Sequence, residues 1–230
     1  MSLLAPDDLT AVLLSLKVAG VATVFGLPVA LAVAFALARG RFVGRALLDA
    51  ATHLPLVLPP VATGFALLIL FGHRGLLGQA LEPLGLVFAF RWTGAALAAA
   101  IMAFPLLVRP IRLAIEAIDP EVDEAARTLG AGPLIRFFRV TVPLAGPGIA
   151  AGAVLGFAKA LGEFGATITF VAAIPGETLT LPTAIYQATQ SPGGEARALA
   201  LCAVSAAIAI GAVLVSDAVA RRVVRRRESA

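Results

Sequence analysis

Two ionisable residues sit where ionisable residues are costly. Lys159 and Glu163 fall inside the run AGAVLGFAKALGEFGATITF (151–170), which is otherwise apolar or neutral. Four residues apart, they share one face of a helix. A charge at the bilayer centre costs roughly 2.5–3.5 kcal/mol on insertion scales, so such residues normally face a bundle interior or a water-filled path. Two roles fit them: a pair that holds helices together, or the lining of a translocation path or its gate. Gly162 and Gly165 flank the glutamate and would let helices approach closely. An anion in such a path would need Glu163 to be neutralised by Lys159, or to act in the gate without touching the anion.

A second charged cluster interrupts the apolar chain at EAARTLGAGPLIRFFRVTVPL, 124–144. Asp119 can cap a helix whose first turn holds Pro120, Glu121 and Asp123. Gly130 can take the left-handed conformation that stops it. Pro133 can open a second short helix bearing Arg136 and Arg139, and Pro143 precedes the next apolar run. The pattern is a helix, a glycine turn and a helix, lying along the membrane surface. Ala125, Ala126 and Leu129 give the first helix a small apolar face that another protein could approach.

The elements that carry these clusters are membrane spans. The chain has 230 residues, 60% hydrophobic and 14% charged, with a mean hydropathy of +0.95. A soluble domain carries about 25% charged residues. The excess apolar surface must face lipid. A spanning helix needs roughly 20 apolar residues, and five stretches qualify: 9–38, 54–71, 92–113, 145–171 and 196–219. The expected fold is therefore an all-α membrane protein, a single domain over 1–230. Its sizeable loops are 114–144 and 172–195.

Arginine placement orients it. Arg39, Arg41, Arg45, Arg109, Arg112, Arg127, Arg136, Arg139 and the tail arginines (Arg221, Arg222, Arg225, Arg226, Arg227) fall on one side. Only Arg74, Arg91 and Arg197 fall on the other. The expected topology puts the N-terminus outside, with the C-terminus and the 114–144 loop in the cytoplasm. The net charge of +4 is explained by topology, so nucleic acid is not an expected partner. No basic residue precedes Lys17, which argues against a cleaved signal peptide.

Little else invites chemistry. The single Cys202 lies in an apolar run and reads as a small core residue. His53 and His73 stand at expected span ends, too far apart in sequence to imply a metal pair. Trp92 and Tyr186 read as interfacial anchors. Pro59 and Pro60 should bend the start of the second span. No G-x-S-x-G and no G-x-x-x-x-G-K-[ST] occurs, so neither a serine nucleophile of that type nor a nucleotide loop is expected. No catalytic residue, metal or cofactor is assigned.

The loop carries a resemblance. Glu124-Ala125-Ala126, three residues, Gly130, nine residues, then Val140-x-Val142-Pro143 resembles the EAA motif of permease subunits of bacterial ABC importers. Valines stand where isoleucine and leucine are usual. The runs HLPLVLPPV (53–61), LGEFGATITF (161–170) and IPGETLTLPTAIY (174–186) are similar to the molybdate permeases of that family, with sulfate and tungstate permeases as near relatives. The resemblance implies a coupling helix in which Glu124, Ala125, Ala126, Gly130 and Pro143 serve contact with a separate ATPase. It also implies a homodimer, two ATPase subunits that bind the ATP, an external molybdate-binding protein and a place in the bacterial inner membrane. A secondary transporter would leave the EAA spacing unexplained.

Overall fold

Alanine and glycine decide how these helices meet. The computed structural model describes residues 6–228; the side chains of Pro6, Val213 and those from Val215 onward are not described. The tail arginines therefore lie outside the described side chains. Among the described residues every regular element is helical. In chain order they are α1 (Pro6–Arg39), α2 (Arg45–Val57), α3 (Pro60–Phe71), α4 (Leu76–Leu81), α5 (Trp92–Glu116) and α6 (Pro120–Thr128). Then come α7 (Pro133–Arg136), a wide π turn (Phe137–Thr141), α8 (Val142–Leu144), α9 (Gly146–Leu161), α10 (Gly165–Val171), α11 (Leu181–Gln190) and α12 (Glu195–Glu228).

The central element is α5. Of its most apolar stretch 61% is buried, against 28% for α1 and 11% for α12. Its buried alanines, among them Ala95, Ala98, Ala99 and Ala103, are short enough for α1 and α9 to lie against it. Along α9 the contact is made by Gly148, Gly152 and Gly156, one every four residues. A methyl group at these positions would fall 2.3 Å from Ala114 Cβ, 2.7 Å from Leu107 O and 2.4 Å from Leu107 Cδ2 respectively. Small residues at this spacing are how membrane helices pack without a hydrophobic driving force.

Three helices are long and apolar enough to cross a membrane: α1, α5 and α12 from Glu195 to Ala212. Two bent pairs add up to two more. Helices α2 and α3 meet at 114°, and the 133–144 segment meets α9 at 69°. The expected span 54–71, bent only at its start, is thus corrected. It breaks at Leu58-Pro59, and residues 45–53, expected as loop, are helical. Pro59 forces Leu58 into extended geometry (φ −72°, ψ 143°), and Pro60, lacking an N–H, restarts the chain as the first residue of α3. The 12 residues of α3 reach only about 18 Å, less than a bilayer core. The expected span 145–171 is broken as well, at 162–164 between α9 and α10.

The pair α3 and α10 cross closely. A Cβ on Gly64 would meet Ala166 O at 2.5 Å, and one on Gly165 would meet Pro60 Cβ at 2.7 Å. The expected close approach holds at Gly165. It fails at Gly162, which is exposed and whose Cβ would have only an ordinary contact, because this glycine ends α9 on its open side. Gly64→Val must push backbone from backbone. It is expected to lower stability by about 2 kcal/mol, read as a drop in unfolding midpoint in detergent.

Cys202 is another correction. It is exposed on α12, whose apolar stretch Glu195–Ala212 is only 11% buried. The loop 172–195 also holds structure not expected from sequence. Helix α11 buries Leu181, Thr183, Ala184 and Ala188, and its first amide donates to Ser15 Oγ of α1 at 2.6 Å. Beside it Arg197 Nε donates to both carboxylate oxygens of Asp8, at 3.0 and 3.1 Å. Those bonds clasp the starts of α1, α11 and α12 together.

Candidate functional site

Two regions hold the residues singled out by sequence. The first is the break between α9 and α10. Glu163 is 3% exposed, and both of its oxygens are used. Oε2 accepts from Lys159 Nζ at 2.6 Å, and Oε1 accepts from the Ala166 amide at 3.0 Å. The carboxylate therefore caps α10 while it holds the last turn of α9 through the lysine. A buried charge keeps its place only when so paired and bonded. Lys159 is less enclosed, its side chain 29% exposed. Phe164, inside the break, packs on Tyr186 of α11 with ring centroids 5.1 Å apart. The carboxylate ties α9 to α10, and the ring contact of Phe164 adds α11 to the junction. Tyr186, expected as a lone interfacial anchor, belongs to this junction.

The second region is the charged loop. Asp119 accepts from the Glu121 amide at 2.9 Å and starts α6. The helix ends as a glycine-stopped turn. Gly130 sits at φ 81°, its N–H donates to Arg127 O at 3.0 Å, and the Ala131 N–H reaches Ala126 O at 3.0 Å. Arg136 Nη1 donates to Asp123 at 2.6 Å and fastens α6 to α7, a tie the sequence reading did not make. Glu124, Ala125 and Gly130 are exposed, Leu129 is 87% exposed, and Ala126 is half-buried. Pro143 lies in another element, α8, at the bend into α9.

The remaining candidates separate. His53 Nδ1 lies 2.8 Å from Asp49 O on its own helix, and His73 Nδ1 lies 3.7 Å from Glu82 Oε1. Trp92 opens α5 under Lys17, whose Nζ stands 3.6 Å from the ring centroid. At the other end of the bundle Arg39 donates to the Ile115 and Ile118 carbonyls, and Arg112 donates to Asp49 and Glu116.

A bent bundle with an exposed capped helix of this kind can be compared with known proteins. Residues 26–229 match the family described as binding-protein-dependent transport system inner membrane component. The chain belongs to this family. It is an inner-membrane transport component. The molybdenum transport system permease protein ModB of Escherichia coli K12 is 54% identical over 220 residues, 95% of this chain and 96% of its own. Its counterpart from Haemophilus influenzae is 46% identical over the same shares. Among solved structures, a bacterial ABC transporter that imports the acidic polysaccharide alginate aligns with a TM-score of 0.77 at 20% identity. That alignment covers 95% of this chain and 80% of that one. The likeness extends to the fold.

Proposed function

We propose that the chain is the permease subunit of an ATP-driven importer that carries molybdate into the cytoplasm. The observation that carries the cargo is the 54% identity to a molybdenum permease over nearly the whole of both chains. The coupling role rests on α6, a short helix capped at both ends and presented to solvent. Glu124, Ala125, Ala126 and Gly130 would form the contact with a separate ATPase, which binds the ATP. Pro143 sets the bend that joins the loop to α9.

Five crossings follow if each bent pair spans the membrane once, with the N-terminus outside and α6 in the cytoplasm. Among the described residues the centre of one chain is filled by the cores around α5. A path then needs a second copy, and a homodimer supplies it. The face that carries Lys159, Glu163 and the α9–α10 break would line that path or its gate, with Gly165 allowing α10 to cross α3. The external binding protein would dock at the end where α1, α11 and α12 are clasped.

Uptake of labelled molybdate into proteoliposomes of the full complex, with binding protein outside and ATP inside, tests the cargo. The expected result is ATP-dependent accumulation, with excess sulfate competing at least tenfold less well than unlabelled molybdate. Uptake of sulfate in preference would keep the machine and change its cargo. Accumulation that survives ATP removal and collapses with the ion gradient would make it a secondary transporter.

A further inference from the structure

Where the charged loop rejoins the bundle, a cavity of about 750 Å³ opens between the last turns of α1 and the α7 segment with its π turn. Its lining is apolar at Ala32, Phe35 and Phe137 and charged at Arg39, Arg136 and Asp123. Phe137 packs edge-on against Phe35, with centroids 4.9 Å apart, which joins the two walls. Two guanidiniums and one carboxylate leave the lining net positive.

Neither guanidinium is used up. Arg39 donates through Nη2 to Ile115 O (3.2 Å) and Ile118 O (2.9 Å). Arg136 donates through Nη1 to Asp123, while its Nε–H is buried without any partner. Each guanidinium has five N–H donors, so neither is saturated by these bonds.

The same segment has the composition of one that lies at a membrane surface. Leu134, Ile135 and Phe138 are 74%, 51% and 63% exposed, while Arg136 and Arg139 alternate with them. Large apolar side chains and arginines on one short exposed segment are the signature of a helix lying in the headgroup layer. A cavity beside it, apolar on one part and cationic on another, matches an amphiphile with an anionic head. Basic pockets between membrane helices take such headgroups.

We propose that this cavity binds an anionic phospholipid, its phosphate diester held by Arg39 and Arg136 and an acyl chain laid against Phe35 and Phe137. A free oxyanion would satisfy the guanidiniums and leave the apolar lining unfilled. The lipid phosphate competes with Asp123 for Arg136, and that bond is the tie between α6 and α7. Lipid occupancy would therefore set how firmly α6 is held. This consequence rests on the coupling reading; the binding does not, and it is measured without ATP or ATPase.

The test is native mass spectrometry of the full chain, stripped of lipid in neutral detergent and titrated with phosphatidylglycerol or phosphatidylcholine. Phosphatidylglycerol is expected to bind about tenfold more tightly, and Arg136→Gln to remove about that factor, as loss of one charge-assisted bond does. Asp123→Asn frees Arg136 and is expected to tighten phosphatidylglycerol binding several-fold. A merely structural defect would not produce that direction. Equal affinity for the two lipids would overturn the proposal, as would weaker binding by the Asp123→Asn chain. Complete displacement of phosphatidylglycerol by millimolar inorganic phosphate would assign the site to free anions and overturn the lipid reading.

Discussion

Gly130→Val is expected to cut binding-protein-stimulated ATP hydrolysis by the full complex about tenfold or more, while the chain still inserts. Backbone conformation alone accounts for the loss. Gly130 sits at φ 81°, and a Cβ added there would meet nothing within 4 Å. No steric clash is available to explain a defect. What valine cannot do is adopt the left-handed conformation, which costs a non-glycine residue roughly 1–2 kcal/mol and a β-branched one more. The chain escapes by giving up the bonds from Gly130 N–H to Arg127 O and from Ala131 N–H to Ala126 O. That loosens the end of α6, where the exposed Ala125 and half-buried Ala126 stand. A graded series makes the point sharper. Asparagine tolerates the left-handed region and should retain most of the stimulation, alanine should be intermediate, and valine should be lowest. Equal activity across the series would show that the shape of this turn is irrelevant to coupling.

Glu163→Ala is expected to cost about 3 kcal/mol of stability in detergent, the scale for breaking one side of a buried ion pair. The change removes two bonds at once. Lys159 loses its partner at 2.6 Å, and the Ala166 amide at the start of α10 loses its acceptor at 3.0 Å. Glu163→Gln combined with Lys159→Met should recover more than half of the loss, because the glutamine carbonyl still accepts from Ala166 and no charge is left alone. The functional readout is basal ATP hydrolysis without binding protein, together with anion leak from loaded vesicles. Both should rise in Glu163→Ala if the break between α9 and α10 belongs to the gate. A destabilised chain with unchanged leak and unchanged basal hydrolysis would leave Glu163 as a cap and a clamp, with no part in translocation.

The parts of this molecule that were legible in its sequence are those with local causes. Asp119 and Pro120 start α6 through a side-chain bond and a fixed φ, and Gly130 ends it through a positive φ; each needs only its neighbours. The Lys159–Glu163 pair followed from helical spacing. The long α1 and α5 followed from apolar length. What failed were continuity and partnership. The run 54–71 is apolar enough for one span, yet Pro59 and Pro60 turn the chain through 114° instead of merely bending its start. Cys202 sits in an apolar run, but in a membrane an apolar residue can lie at the surface, so hydropathy does not report burial. Helix α11 is only ten residues, with Pro182 in its first turn, too short for apolar length to reveal it. The four-residue spacing of Gly148, Gly152 and Gly156 was also readable as a close-packing face. The ties between Asp123 and Arg136, and between Asp8 and Arg197, join residues whose meeting depends on the finished fold.

The most direct test of the central claim is ATP hydrolysis by the full complex in liposomes, with its own binding protein loaded in turn with molybdate, tungstate and sulfate. A coupled molybdate importer gives stimulation by the molybdate-loaded protein, weak or no stimulation by the sulfate-loaded one, and loss of stimulation in Gly130→Val. Hydrolysis that ignores the loaded binding protein in an intact complex, or stimulation that survives in Gly130→Val at full strength, would contradict it.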